Sequence, residues 1–207
     1  MALTDRFVDE VFAIYDRVAA PQMVPAVLVE ACATVLPVEG AGLSLTSRLR
    51  VPLAASSAMA CRAERLQTTL GEGPCLDATD SAMPLVVDVP AMEIAWPMFG
   101  HELVAQTPFR SVASIPLGSA DRTRLGALDL YSIRPEAGHL RDVVDEVVSI
   151  TRLLTGILLD PPAGLDGTGQ RTFAWLTGAS VEDRMNVWIA VGVLLVLGHW
   201  SNEDALA

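Results

Sequence analysis

The apolar positions Leu3, Phe7, Val11, Ile14 and Val18 recur at three- and four-residue spacing, which predicts a first helix with Thr4 or Asp5 as its cap. Pro21 is placed to open a second helix, with Val24, Val27, Leu28, Ala31, Cys32 and Val35 on one face and Pro37 as its stop. Cys32 lies on that stripe and reads as a core thiol. Beyond Pro37 the period changes to two. Ala41, Leu43 and Leu45 alternate with Gly42, Ser44 and Thr46, the pattern of a half-buried strand. A second short strand is expected over residues 52–56 and a helix over 59–70. Gly71-Glu72-Gly73-Pro74 forms a turn, and Pro74 launches another helix. A strand is expected over 84–88, a helix over 96–106, and strands over 111–117 and 125–132, these last two joined by a polar loop at 118–124.

A long helix follows over 139–159. Val143, Val147, Ile150, Leu154 and Ile157 are spaced alternately by four and three, a coiled-coil-like seam that the first helix shares at Phe7, Val11, Ile14 and Val18. The two terminal helices are therefore expected to lie side by side and to form a helical homodimer interface. Packing onto the domain's own sheet is the alternative. Helices, four or five strands and a long closing helix make an α+β domain ending near Asp160.

Residues 160–169, with two prolines and three glycines, read as linker. Ser180 stands three before Asp183 ahead of an apolar run, a capping-box-like start for a helix reaching Leu197 and stopping at Gly198. Between Val187 and Leu197 that helix is apolar all round and must be buried on several sides. Gly192 in its middle costs about 1 kcal/mol relative to Ala, which close helix approach can offset. Ser201 and Asp204 repeat the cap, and Ala205-Leu206-Ala207 begin a helix too short to stand alone. A longer polypeptide is the expectation. The division is 1–160, 161–179 as linker, and 180–207.

Charge narrows the function classes. The net charge is −11, and all 14 basic residues are arginine. Such a balance opposes binding to nucleic acid by charge alone and opposes a polybasic membrane anchor. Asp5, Asp9, Glu10 and Asp16 exclude a secretory signal core. The longest apolar run, 187–198, is shorter than the ~20 residues a bilayer span needs. Three cysteines without metal-ligand spacing fit a reduced cytoplasmic protein. Apolar residues are 51% and charged residues 19% of the chain, a composition that points to surface covered by a partner.

Few residues invite chemistry. Cys75 falls in the first turn after Pro74, where the helix dipole lowers a thiol pKa, but burial as a small apolar residue beside the tight turn is the expectation and a reactive thiol the alternative. Glu72 and Asp77 flank the turn and suit helix capping better than acid–base catalysis. The turn lacks the Lys-Ser or Lys-Thr of a phosphate loop. His101, His139 and His199 have no ligand spacing, so no metal, cofactor or catalytic residue is expected.

The segment Leu66 to Ala78, LQTTLGEGPCLDA, resembles a motif of GAF domains that precede ANTAR modules in actinobacterial proteins. Ser114-Ile115-Pro116-Leu117 and Gly126-Ala127-Leu128-Asp129-Leu130-Tyr131 resemble the closing strands of a GAF sheet. Trp175-Leu176, Val191-Gly192-Val193-Leu194 and the last residues from Glu203 to Ala207 resemble the start of an ANTAR module. The resemblance implies a GAF-type antiparallel sheet flanked by helices, followed by a short helical ANTAR-like segment. It also implies a regulated antiterminator: a sensor or dimerisation domain, a small-molecule ligand in the GAF domain, and an output that binds paired RNA hairpins. By analogy the ligand pocket is lined by Cys75, Met92, Trp96, Phe99, Phe109, Asp129 and Tyr131. Two departures stand out. The chain ends before the helix in which ANTAR modules carry alanines, an aromatic and basic residues. Val191 stands where lysine is common. A dimerisation or protein-interaction module without RNA activity is the competing expectation.

Overall fold

The computed structural model describes residues 2–18, 23–46, 50–118 and 124–159; the expectations for the linker and the ANTAR-like segment lie outside them. Helix α1 (Leu3–Val18) begins before either expected cap. Asp5 sits in its first turn and accepts a hydrogen bond from the Ala2 N–H at 3.2 Å, so the carboxylate reaches back to an otherwise orphaned donor. Helix α2 (Val24–Val35) carries Pro25 in its first turn, while the opening expected at Pro21 lies outside the described residues. It ends because Leu36 precedes Pro37 and is pushed into extended backbone, with φ −98° and ψ 149°.

Strands β1 (Gly40–Thr46) and β2 (Arg50–Ala55) form a hairpin. Pro52 lacks an N–H donor and is accommodated on β2 because that strand lies at the sheet edge. Helices α3 (Ala58–Leu70) and α4 (Pro74–Ser81) follow, then strand β3 (Leu85–Asp88). The segment expected as one helix from Trp96 is preceded by another, α5 (Val89–Ala95), before α6 (Pro97–Gln106). Asp88 Oδ1 caps α5 by accepting from the Ala91 N–H at 3.2 Å. Pro97 forces Trp96 out of helical backbone and separates α5 from α6. Strands β4 (Ser111–Gly118) and β5 (Arg124–Ser132) and helix α7 (Gly138–Leu159) complete the domain.

The five strands pair antiparallel in the order β2-β1-β5-β4-β3. Period-two alternation divides them between two faces. On one face Ala41, Leu43, Ala113, Ile115, Leu128 and Leu130 meet α1, α2 and α7 in the larger core. Val143, Val147, Ile150 and Leu154 are buried there and Ile157 packs against them, so the seam of α7 is spent on the chain's own sheet. Phe7 and Ile14 of α1 share that core, which places the terminal helices together as expected. On the other face a smaller core joins Phe109, Val112 and Tyr131 to Ala60, Ala63 and Leu66 of α3 and to Met92, Phe99 and Leu103. Beside it the sheet is covered by something unusual: charge.

Candidate functional site: a sealed polar cluster and an open groove

Gly42 pairs with Asp129, and Asp129 pairs with Ser114 on its other side, so three neighbouring strands bring a small or polar residue to one spot. Helix α3 lies over it. A Cβ at Gly42 would collide with the Glu64 carboxyl, so the absent side chain is what admits this glutamate. Glu64 and Gln67, one turn apart on α3, both point at the sheet and are buried. Arg50 enters from the edge strand and is 4% exposed.

All five donors of the Arg50 guanidinium are used. Nε donates to Cys75 Sγ at 2.7 Å. Nη1 donates to the Glu64 carbonyl at 2.7 Å and to Thr68 Oγ1 at 2.8 Å. Nη2 donates to Glu64 Oε2 at 2.5 Å and to Asp129 Oδ2 at 3.1 Å. Asp129 also accepts from Ser114 Oγ at 2.5 Å and from Gln67 Nε2 at 2.8 Å. Tyr131 Oη bonds Glu64 Oε1 at 2.6 Å and accepts from Gln67 Nε2 at 3.1 Å. Gln67 Oε1 in turn accepts the Cys75 backbone N–H at 2.9 Å.

Two carboxyl groups facing one guanidinium leave an excess negative charge unless one holds a proton. Asp129 accepts three hydrogen bonds, from Arg50, Gln67 and Ser114. Burial pushes Glu64 up from 4.5 to about 8; Arg50 pulls it down and nearby Asp129 adds to the rise. Glu64 therefore holds a proton far more readily than a free glutamate does. Burial opposes the charge on Arg50, but Glu64, Cys75 and Asp129 more than offset it, and its proton affinity rises. Burial pushes the Cys75 thiol up to about 12, with Asp129 adding to the rise and Arg50 opposing it. Any lowering by the helix dipole is thus outweighed by desolvation; Cys75 is buried as expected, and its sulfur serves as an acceptor for Arg50. Cys32, also at about 12 through burial, is a core thiol.

The turn after α3 is part of this construction. Gly71 ends α3 in left-handed backbone at φ 67°. Gly73, at φ 140°, lies so close to Gln67 that a Cβ would come within 2.6 Å of its Oε1. Glu72 Oε1 accepts the Phe99 N–H at 2.7 Å and so caps α6, as a carboxylate at this turn was expected to do for a helix. Asp77 lies in the first turn of α4 and accepts the Trp96 indole N–H at 3.2 Å. The segment 66–78 thus ties α3, α4 and α6 to the polar cluster.

The seven residues assigned by analogy to a pocket are all buried. Cys75, Asp129 and Tyr131 belong to the polar cluster, where the chain's own side chains fill the space against the sheet. Met92, Trp96, Phe99 and Phe109 lie in the smaller core, with the Phe109 and Tyr131 rings stacked at 5.0 Å. None of the seven lines the groove of about 990 Å³ that opens between α3 and α6. Sequence reasoning passed over Ser44, Arg50, Glu64, Gln67 and Ser114. A signal for three of them was present: Ser44 and Gly42 form the non-apolar face of β1, and Glu64 and Gln67 share one face of α3 with Ala60 and Ala63. His101 is exposed, and His139 bonds Ser132 Oγ and the Glu136 carbonyl, each at 2.9 Å. No group of residues that could hold a metal ion occurs among the described residues.

The described fold is similar to that of solved GAF domains. A domain of a putative two-component sensor histidine kinase protein from Sinorhizobium meliloti superposes with a TM-score of 0.51 at 17% identity, over 67% of this chain and 90% of that one. The GAF domain of a phosphoenolpyruvate-protein phosphotransferase from Coxiella burnetii gives 0.52 at 16% identity, over 73% of this chain and 91% of that one. No protein-family model matches the sequence, and no curated relative does. No helix among the described residues is long and apolar enough to cross a membrane.

Proposed function

We propose that this chain is a cytoplasmic, non-enzymatic regulator in which a GAF-type domain governs an ANTAR-type RNA-binding output that prevents transcription termination. The observation that carries the reading is the GAF-type fold closing on a 22-residue helix, α7, which precedes in the sequence, across the expected linker, the residues that resemble an ANTAR module. Signals reaching the domain would pass through α7, whose seam is anchored on the sheet. A homodimer is part of this reading. Because that seam is occupied, the surfaces left for self-association include the outer side of α1, where Phe12 is 63% exposed.

Titrating the full chain against a tandem-hairpin RNA at two salt concentrations tests the output. The reading expects preference over a scrambled RNA and affinity that weakens with salt. A second reading, a GAF-type interaction module without RNA activity, is favoured by charge: from Asp160 onward the sequence holds two basic residues, Arg171 and Arg184, and six acidic ones. Absence of RNA binding at both salts selects it.

A further inference from the structure

Helices α3 and α6 run antiparallel. Glu72, just beyond the end of α3, caps the start of α6, while Arg62 near the start of α3 donates to Gln106 Oε1 at the end of α6, at 2.9 Å. Their outer faces leave the open groove of about 990 Å³, a size suited to a small-molecule ligand. Its apolar part is built by Leu66 and Leu70 of α3 and Pro97 and Met98 of α6. Met98 is 60% exposed there, a large apolar side chain left in water.

The groove departs from the chain's acidic character. Arg62 and Arg65 lie one turn apart on α3, and His101 of α6 also lines the groove. Glu102 is the acidic residue that lines it, and its carboxylate accepts from Gln106 Nε2 at 2.6 Å. Arg65 has no hydrogen bond or ion pair among the described residues. Two arginines beside an apolar floor, in a chain of net charge −11, form a local match for a negative head group with an apolar body.

We propose that the groove between α3 and α6 binds an amphipathic anion, a small molecule with one carboxylate-like head and an aliphatic tail. The head takes Arg65 and the free donors of Arg62, and the tail lies on Leu66, Leu70 and Met98. The site is distinct from the sealed cluster on the sheet and stands independently of the RNA output. Glu64 and Gln67 on the opposite face of α3 give occupancy a route to the cluster, since α3 carries both.

Cys61 supplies the test. It is half-buried in the groove, whereas Cys32 and Cys75 are fully buried. Alkylation of Cys61 in the full chain by N-ethylmaleimide is followed by mass spectrometry with decanoate, decanol or decyltrimethylammonium, each below its micellar concentration. Saturable, severalfold slowing by decanoate, absent with the neutral and cationic analogues and lost in the R62Q/R65Q double variant, is expected. Continued protection of Cys32 and Cys75 shows that the variant is folded. Equal slowing by all three compounds, slowing that survives the double substitution, or no slowing at all overturns the proposal.

Discussion

The decisive residue is Arg50. Its five donors satisfy groups from β5, α3 and α4, and removing it strands the Asp129 carboxylate in the interior. Breaking a buried pair in this way costs about 3–5 kcal/mol, so Arg50→Met should lower the urea midpoint sharply. Adding Asp129→Asn should recover part of the loss, because the stranded charge goes with it. Glu64 predicts a pH dependence of definite sign. Its folded pKa, about 8, lies above the 4.5 of the free group, so the folded state holds the extra proton. The associated stability is fully present below about 4.5 and declines as pH rises toward and through about 8. Thermal melts from pH 5 to 8.5 should therefore show a downward slope in the wild type that flattens in Glu64→Gln. An unchanged slope would mean that Glu64 is ionised throughout.

At the scale of elements, the α3–α4 turn combines two glycines with different duties. Gly71 needs left-handed backbone but faces open space, so Gly71→Ala should cost about 1–2 kcal/mol, the penalty for that conformation in an L-residue. Gly73 has both a positive φ and the Gln67 side chain against it, so Gly73→Ala should cost more and should loosen the Gln67 contact with Asp129. Denaturant curves of the two variants rank them, and the reverse order would remove Gly73 from the cluster's support. Much at this scale was legible beforehand. Proline and period changes placed both hairpin strands, α3 and α4 within a few residues, because these signals act through local backbone sterics. Helix α5 was missed although Asp88 and Pro90 mark its start, since its seven residues are too few for a period to show.

For the whole molecule, the seam of α7 has its partner inside the chain. Val147→Asp should unfold the domain, at a cost above about 4 kcal/mol, and should not release a folded monomer from a dimer. Phe12→Asp should keep the fold and weaken any self-association. Sedimentation over a concentration series, alongside circular dichroism, separates the two outcomes; a folded Val147→Asp monomer would return the seam to an interface. The polar cluster, too, belongs to this scale, because it closes one face of the sheet to solvent while the α3–α6 groove remains open.

Read alone, the order of apolar and polar residues was enough for the α+β class, for nearly every element, and for the inward faces of β1, α2 and α7. Those properties depend on neighbours within a turn or a strand, where spacing and backbone restriction act directly. Spacing was silent on what the α7 stripe would meet, because a seam of this kind fits a sheet and a second helix equally well. It was silent also on the union of Arg50 with Asp129, 79 residues apart, and of Tyr131 with Glu64, 67 apart. Charge compensation in a dry interior is set by three-dimensional proximity and desolvation, and both arise when β1, β5 and α3 come together.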